Sequence, residues 1–343
     1  MFQPFHFENH KVTPMTDFFS ELQHEFALPF TNPVLIFAIL LLIVLLAPIL
    51  LKRINVPSII GLILAGVLIG PHGLNWIDNA HGGVEMFSSI GLLYIMFIVG
   101  LELDLGEFME NKNKSLLFGF YTFIIPILIG FPVCYYLLGY EANASFLTAS
   151  MFATHTLVAY PIVSRLGIAR NQAVAVTVGG TILTDTAVLI ILAVVLSGSS
   201  GSLDFTFLVR LLLSLVLFSG VIFLVVPRIA RWFFQYSESE KYSNYIFVIL
   251  IVFASGFLVE LGGIEPIIGA FAAGLALNRL IPHSSALMNR IEFFGNALFI
   301  PVFLISVGML VDVSVVFQGP RTLVVALSLT VAALTGKWLA AWA

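Results

Sequence analysis

The chain has 343 residues, 59% of them hydrophobic and only 10% charged, with a mean hydropathy of +1.05. A soluble fold of this composition would leave a very large apolar surface in water, so a polytopic helical membrane protein is expected instead. The net charge of −4 is spread over short loops with no basic patch for nucleic acid, and the single Cys134 excludes an intrachain disulfide and joins no metal-ligand spacing.

Residues 1–32 lack the basic start and continuous apolar core of a signal peptide. Thr16-Asp17 open a stretch with Phe18, Phe19, Leu22 and Phe26 on one side, the pattern of an amphipathic helix lying on the membrane surface. Eleven apolar runs follow, near 33–51, 56–71, 84–101, 115–138, 145–166, 172–196, 205–235, 242–261, 264–279, 291–313 and 321–343. Pro71-His72-Gly73, Ser197-Gly198-Ser199-Ser200-Gly201, Gly262-Gly263 and Gly319-Pro320 break the chain between runs. An N-terminus outside places eleven of the fifteen Lys and Arg residues, from Lys52 to Arg290, on the cytoplasmic side of the inner membrane, as the positive-inside rule requires.

Three stretches recur at one constant offset of 208 positions. Leu42-Ile43-Val44 returns as Leu250-Ile251-Val252, and Ile59-Ile60-Gly61 with Ala65-Gly66 as Ile267-Ile268-Gly269 with Ala273-Gly274. Val99-Gly100 with Asp104 returns as Val307-Gly308 with Asp312. The second copy starts seven spans after the first, an odd number, so the copies cross the membrane in opposite directions. The organisation expected is an extracytoplasmic segment 1–32, a first repeat of six helices at 33–196, a linker helix at 197–241 and a second repeat of four helices at 242–343. At this offset the counterparts of the 145–166 and 172–196 runs fall beyond Ala343, so the second repeat is expected to be incomplete, with Asp185 lining an open-sided cavity.

Within the run at 172–196, Thr181, Thr184, Asp185 and Val188 share one helical face near mid-span. An Asp there costs roughly 2.5 to 3.5 kcal/mol on insertion, so an intramembrane acid marks either a functional site or a hydrogen bond to a neighbouring helix. The run before it carries Ala153-Thr154-His155-Thr156 at its middle with Pro161 beyond. Such a segment is either interrupted, offering freed carbonyls and half-helix ends to a cation, or kinked but continuous with its hydroxyls bonded back. His155 reads as a pH sensor or as a neutral hydrogen-bonding residue. Lys337, the one basic residue well inside an apolar run, either faces a carboxylate or snorkels to the inner surface. Glu260 and Glu265, flanking Gly262-Gly263, form either an outer vestibule or a solvated loop.

Ile268-Gly269-Ala270-Phe271-Ala272-Ala273-Gly274, Ser306-Val307-Gly308-Met309, Gly100-Leu101-Glu102-Leu103-Asp104-Leu105 and Thr184-Asp185, in this order, resemble the monovalent cation:proton antiporter-2 family from about residue 33 onward. The resemblance implies an all-α integral membrane, inverted-repeat antiporter fold with an interrupted core helix and a separate dimerisation domain, exchanging protons for Na+ or K+. It implies that Asp185 binds cation and proton in turn, with Thr154 and Thr156 in the interrupted helix and Lys337 as the charge partner. Thr184 stands where electrogenic members of that family carry a second Asp, so one carboxylate serves the site and exchange is expected to be electroneutral.

The function expected is therefore antiport by alternating access at Asp185, Thr184, Thr154 and Thr156, in a homodimer within the bilayer. No enzymatic activity, cofactor, nucleic acid or metal beyond the transported cation is expected. A transport-incompetent sensor or interaction module with the same fold, or a gated cation channel, are the alternatives.

Overall fold

A computed structural model describes residues 28–53, 57–78, 82–103, 105–153, 163, 168, 171–199, 205–236 and 241–343. All the regular structure among them is helical. The amphipathic helix expected before residue 28, and Thr154, His155, Thr156 and Asp104, lie outside the described residues.

The first helix, α1 (Pro33–Lys52), starts where a side chain and a proline agree. The Asn32 carboxamide oxygen accepts from Val34 N at 2.9 Å, and Pro33 occupies a first-turn position that needs no N–H. Next come α2 (Ser58–Ile69), α3 (Gly82–Glu102), the short α4 (Leu105–Glu110), α5 (Lys112–Pro132) and α6 (Ala142–Met151). The chain continues with α7 (Gln172–Ser199), α8 (Phe205–Gly220), α9 (Val226–Tyr236), α10 (Lys241–Leu261), α11 (Pro266–Leu277), α12 (Ala286–Phe294), α13 (Ile300–Met309) and α14 (Pro320–Trp342).

Val133–Leu137 is a π turn that closes the α5 helix, whereas the π turns Val221–Val225 between α8 and α9 and Gly295–Phe299 between α12 and α13 interrupt their helices without ending them. Pro132 immediately precedes the first. Pro227 and Pro301 follow the other two, and the carbonyl each proline ring would strike, four residues back, belongs to Phe223 or Ala297 within the π turn. The wider turn moves that carbonyl aside and lets the helix continue.

Seven helical stretches among the described residues are long and apolar enough to cross a membrane: Pro33–Leu51, Gly83–Glu102, Lys112–Leu137, Leu213–Tyr236, Tyr242–Leu261, Ala286–Val315 and Pro320–Trp342. The 28 residues of α7 add another helix of membrane length, about 42 Å. The runs at 56–71 and 264–279 differ from the reading of each as a full span. They form helices of 12 residues, about 18 Å long against a hydrocarbon core of about 30 Å. Gly70, in extended conformation ahead of Pro71, stops α2, and Asn278 caps α11. The run at 145–166 is described as helix only to Met151.

Residues 1–87 with 304–312 form one compact unit, and residues 88–303 with 313–343 a second. These units cut across the repeat boundaries expected near 196 and 242. In the first unit Gly66 of α2 lies against α13, where an added β-carbon would strike the Ile305 carbonyl and stand 3.0 Å from Gly308 Cα. In the second unit Gly274 of α11 lies against α3, where a β-carbon would strike the Phe97 carbonyl and stand 2.9 Å from Gly100 Cα. Backbones approach this closely only where both residues lack bulk. The second contact is the first shifted by 208 positions, forward for the short helix and backward for its partner. The bounds of α2 and α11 also differ by 208 at both ends, as do the starts of α5 and α14.

Candidate functional site

Asp185 sits on α7, whose first turn is fixed by side chains. Asn171 accepts from Ala173 N at 2.9 Å, and Gln172 Nε2 donates to Asn111 Oδ1 at 2.5 Å. Above that turn the threonines satisfy themselves along their own helix. Thr177 Oγ1 donates to the Ala173 carbonyl at 2.7 Å, Thr181 Oγ1 to Thr177 at 2.9 Å and Thr184 Oγ1 to Thr181 at 2.8 Å. Thr181 and Thr184 are buried, and each keeps its hydroxyl lone pairs for a further donor or a cation.

Asp185 is different. Its side chain is half-buried, its Oδ1 is shielded from solvent, and that oxygen has no hydrogen-bond partner among the described residues. A buried polar atom without a partner loses its hydration and gains nothing in return, so such atoms are rare outside sites with a task.

The helices around Asp185 share one platform, α5. A β-carbon on Gly180 of α7 would stand 3.0 Å from the Gly119 nitrogen of α5. On Gly336 of α14 it would stand 2.9 Å from Pro126 Cα, and on Gly130 of α5 it would meet the Phe152 ring at 2.7 Å and Ala149 Cβ at 3.1 Å. Glycines thus seat α7, α14 and the α6 end at three levels along α5. The neighbour of Gly336 is Lys337, and this seating aims it. Half-buried, its Nζ donates to the Ala153 carbonyl at 2.7 Å, just past the end of α6.

The structure therefore brings Asp185, Thr184 and Lys337 into the same unit, with Lys337 bonded to the residue immediately before Thr154. The hydrogen bond of the Lys337 ammonium goes to a backbone carbonyl. Sequence reasoning missed the Ala153 carbonyl, because any residue can supply one. It read Glu265 as vestibule or loop; Glu265 is the residue that precedes α11. Gly336 beside Lys337 and Gly180 beside Thr181 were the available signals for close seating.

Comparison with known proteins agrees with this architecture. The family model described as "Sodium/hydrogen exchanger, transmembrane" matches residues 40–343. The Na(+)/H(+) antiporter NhaS5 of Synechocystis sp. is 39% identical over 317 residues, covering 90% of this chain and 45% of that protein, so the chain spans less than half the length of this relative. The Probable Na(+)/H(+) antiporter 3 of Methanocaldococcus jannaschii is 31% identical, covering 82% of this chain and 73% of the relative. The Na(+)/H(+)-K(+) antiporter GerN of Bacillus cereus is 32% identical, covering 78% and 67%. The electron-microscopy structure of the sodium proton antiporter MjNhaP1 from Methanocaldococcus jannaschii aligns with a TM-score of 0.63 at 18% identity, over 88% of this chain and 75% of that one, a likeness of fold. A family match over residues 40–343 and relatives above 30% identity make this chain a member of the sodium/hydrogen exchanger family, a family of membrane transporters and not of enzymes.

Proposed function

We propose that this chain is the membrane domain of an antiporter that exchanges protons for a monovalent cation, Na+ or K+, by alternating access at Asp185. The observation that carries the reading is the shielded Oδ1 of Asp185, unpartnered among the described residues, in a helix of membrane length. Burial in a low dielectric favours a neutral carboxyl and a nearby cation favours the carboxylate, so one group can hold either a proton or a metal cation but gains little from both. The Thr181 and Thr184 hydroxyls on the same face offer oxygen ligands, the donor type that monovalent cations accept. Lys337 supports the site from behind: it anchors the Ala153 carbonyl. Thr154, Thr156 and His155 would follow directly from that anchor, the threonines as cation ligands and His155 as a pH-responsive neighbour. The names of the relatives support sodium, and one of them includes potassium.

The repeat supports alternating access. Two glycine crossings exchanged by the 208-residue offset are what an inverted duplication would leave, with 33–196 and 242–343 as its halves and 197–241 as the linker. The proposal includes an N-terminus outside the inner membrane, as the distribution of Lys and Arg requires, and a homodimer.

The test uses everted membrane vesicles carrying the wild-type protein or Asp185→Asn. Addition of Na+ or K+ should dissipate an imposed pH gradient with the wild type and not with the variant, at equal levels of inserted protein. Exchange by the Asn variant at the wild-type rate would overturn the assignment. With one carboxylate at the site, an imposed membrane potential at equal pH should drive no cation accumulation; accumulation under those conditions would refute the single-carboxylate stoichiometry and favour a channel.

A further inference from the structure

A second polar feature lies in the same unit as Asp185 but on a different helix. Asn289, Glu292 and Asn296 fall at positions i, i+3 and i+7 and so share one face of the helix that runs through α12 and its π turn, inside the apolar stretch Ala286–Val315. With Phe293 and Ala297 they line an open-sided cavity of about 460 Å³. Glu292 is half-buried there, while Asn289, Phe293, Asn296 and Ala297 are exposed. The guanidinium of the adjacent Arg290 lies over the Tyr242 ring, 5.8 Å from the centroid.

The opposite side of this helix is built to hold its shape. Tyr94 of α3 is fully buried, and its hydroxyl donates to the Ile291 carbonyl at 2.9 Å, with the Tyr245 hydroxyl 3.2 Å away. Gly295 lies over the Tyr94 ring, where a β-carbon would come within 2.8 Å of Cε1, and the Phe299 ring packs on Tyr94 at 4.9 Å between centroids. The π turn is thus clamped at its first and last residues by one tyrosine. A carboxyl group placed in an apolar helix is costly, and π turns inside membrane helices concentrate at functional positions. A snorkelling acid would need neither the two asparagines on its face nor a clamped turn beneath it.

We infer that Asn289, Glu292 and Asn296 form an accessory cation subsite that receives a partly hydrated Na+ or K+ before it reaches Asp185. The inference rests on the antiport reading above. The carboxylate supplies attraction, and the two carboxamide oxygens replace part of the hydration shell, the oxygen-donor chemistry an alkali cation requires. With the N-terminus outside, α12 enters the membrane from the cytoplasm, so the subsite serves the inner face. Its role is to raise the local cation concentration, which affects capture and not the proton-exchanging step.

Everted vesicles expose the cytoplasmic face, and Na+ is the probe. Glu292→Gln should raise the apparent KM for Na+ by about tenfold at low ionic strength while leaving the maximal rate near wild type. Glu292→Asp should restore most of the affinity, and choline chloride should shrink the difference between wild type and Gln variant by screening. Should the Gln variant insert poorly, Asn289→Ala with Asn296→Ala provides the second probe, with an expected rise in KM of about threefold. A wild-type KM in whichever variant inserts, or a fall in maximal rate with KM unmoved, overturns the subsite. Absence of exchange by the wild-type protein overturns the antiport reading and the subsite together, whereas exchange with an unchanged KM overturns the subsite alone.

Discussion

The crossing of α2 on α13 and the crossing of α11 on α3 use the same backbone geometry and are fastened differently. In each, a glycine lies against a glycine and a carbonyl of the facing helix. Just past the crossing the two diverge. Asn278, after α11, donates through Nδ2 to the Gly100, Leu101 and Leu103 carbonyls at 3.2, 2.7 and 2.9 Å, so one neutral carboxamide serves several orphan acceptors at the end of α3. The position 208 residues earlier is Gly70, which has no side chain to offer and lies against Met309, where a β-carbon would stand 2.8 Å from Cα. There the fastening is a side-chain contact: His72 Nδ1 lies 3.5 Å from Asp312 Oδ2, with the imidazole exposed. One sequence pattern at the crossing thus tolerates a shielded carboxamide fastening in one copy and an exposed imidazole–carboxylate contact in the other.

The largest effects should come from breaking what the two crossings share. Gly274→Val and Gly66→Val each force side-chain carbon into a facing carbonyl that belongs to helix backbone and cannot rotate away, and each should cost about 3 kcal/mol or prevent insertion. Thermal unfolding in detergent and the yield of inserted protein would measure this, and wild-type stability in either variant would show that the crossing can open. Asn278→Ala should cost about 2 kcal/mol, because it leaves several carbonyls without a donor. Hydrogen exchange of the last turn of α3 should quicken in that variant; unchanged exchange would mean that water replaces the carboxamide. His72→Gln should cost least, under about 1 kcal/mol, as expected of an exposed contact. A cost for His72→Gln equal to that for Asn278→Ala would erase the distinction between the two fastenings.

Much of this was legible in the sequence. Apolar runs and their breakers located most helices, because insertion into a bilayer depends on local composition, and the 208-residue offset was visible since glycine at a backbone crossing has no substitute. Asp185 stood out because a carboxylate at that depth is expensive. The lengths of α2 and α11 were not legible: an apolar run tells how much chain avoids water, and its helical part ends where Gly70 extends and Asn278 caps. The partner of Lys337 was hidden as well. Its ammonium bonds a main-chain oxygen, which leaves no mark on the identity of Ala153. The π turns were only half visible, since Pro132, Pro227 and Pro301 announce a disturbance but not whether it ends the helix or widens it.

The seating of three helix segments on α5 has a mechanical consequence. At Gly119, Pro126 and Gly130 the approach is close, through backbone and proline carbon and against the Phe118 and Phe152 rings, leaving little space between α5 and its neighbours. Displacement of α5 would then be passed on without slack, carrying the carboxylate of Asp185, the ammonium of Lys337 and the Ala153 carbonyl by the same vector. On the antiport reading proposed above, distances inside such an assembly would stay fixed while its surroundings change, so an ion held there would meet a new aqueous compartment without its ligands having to let go.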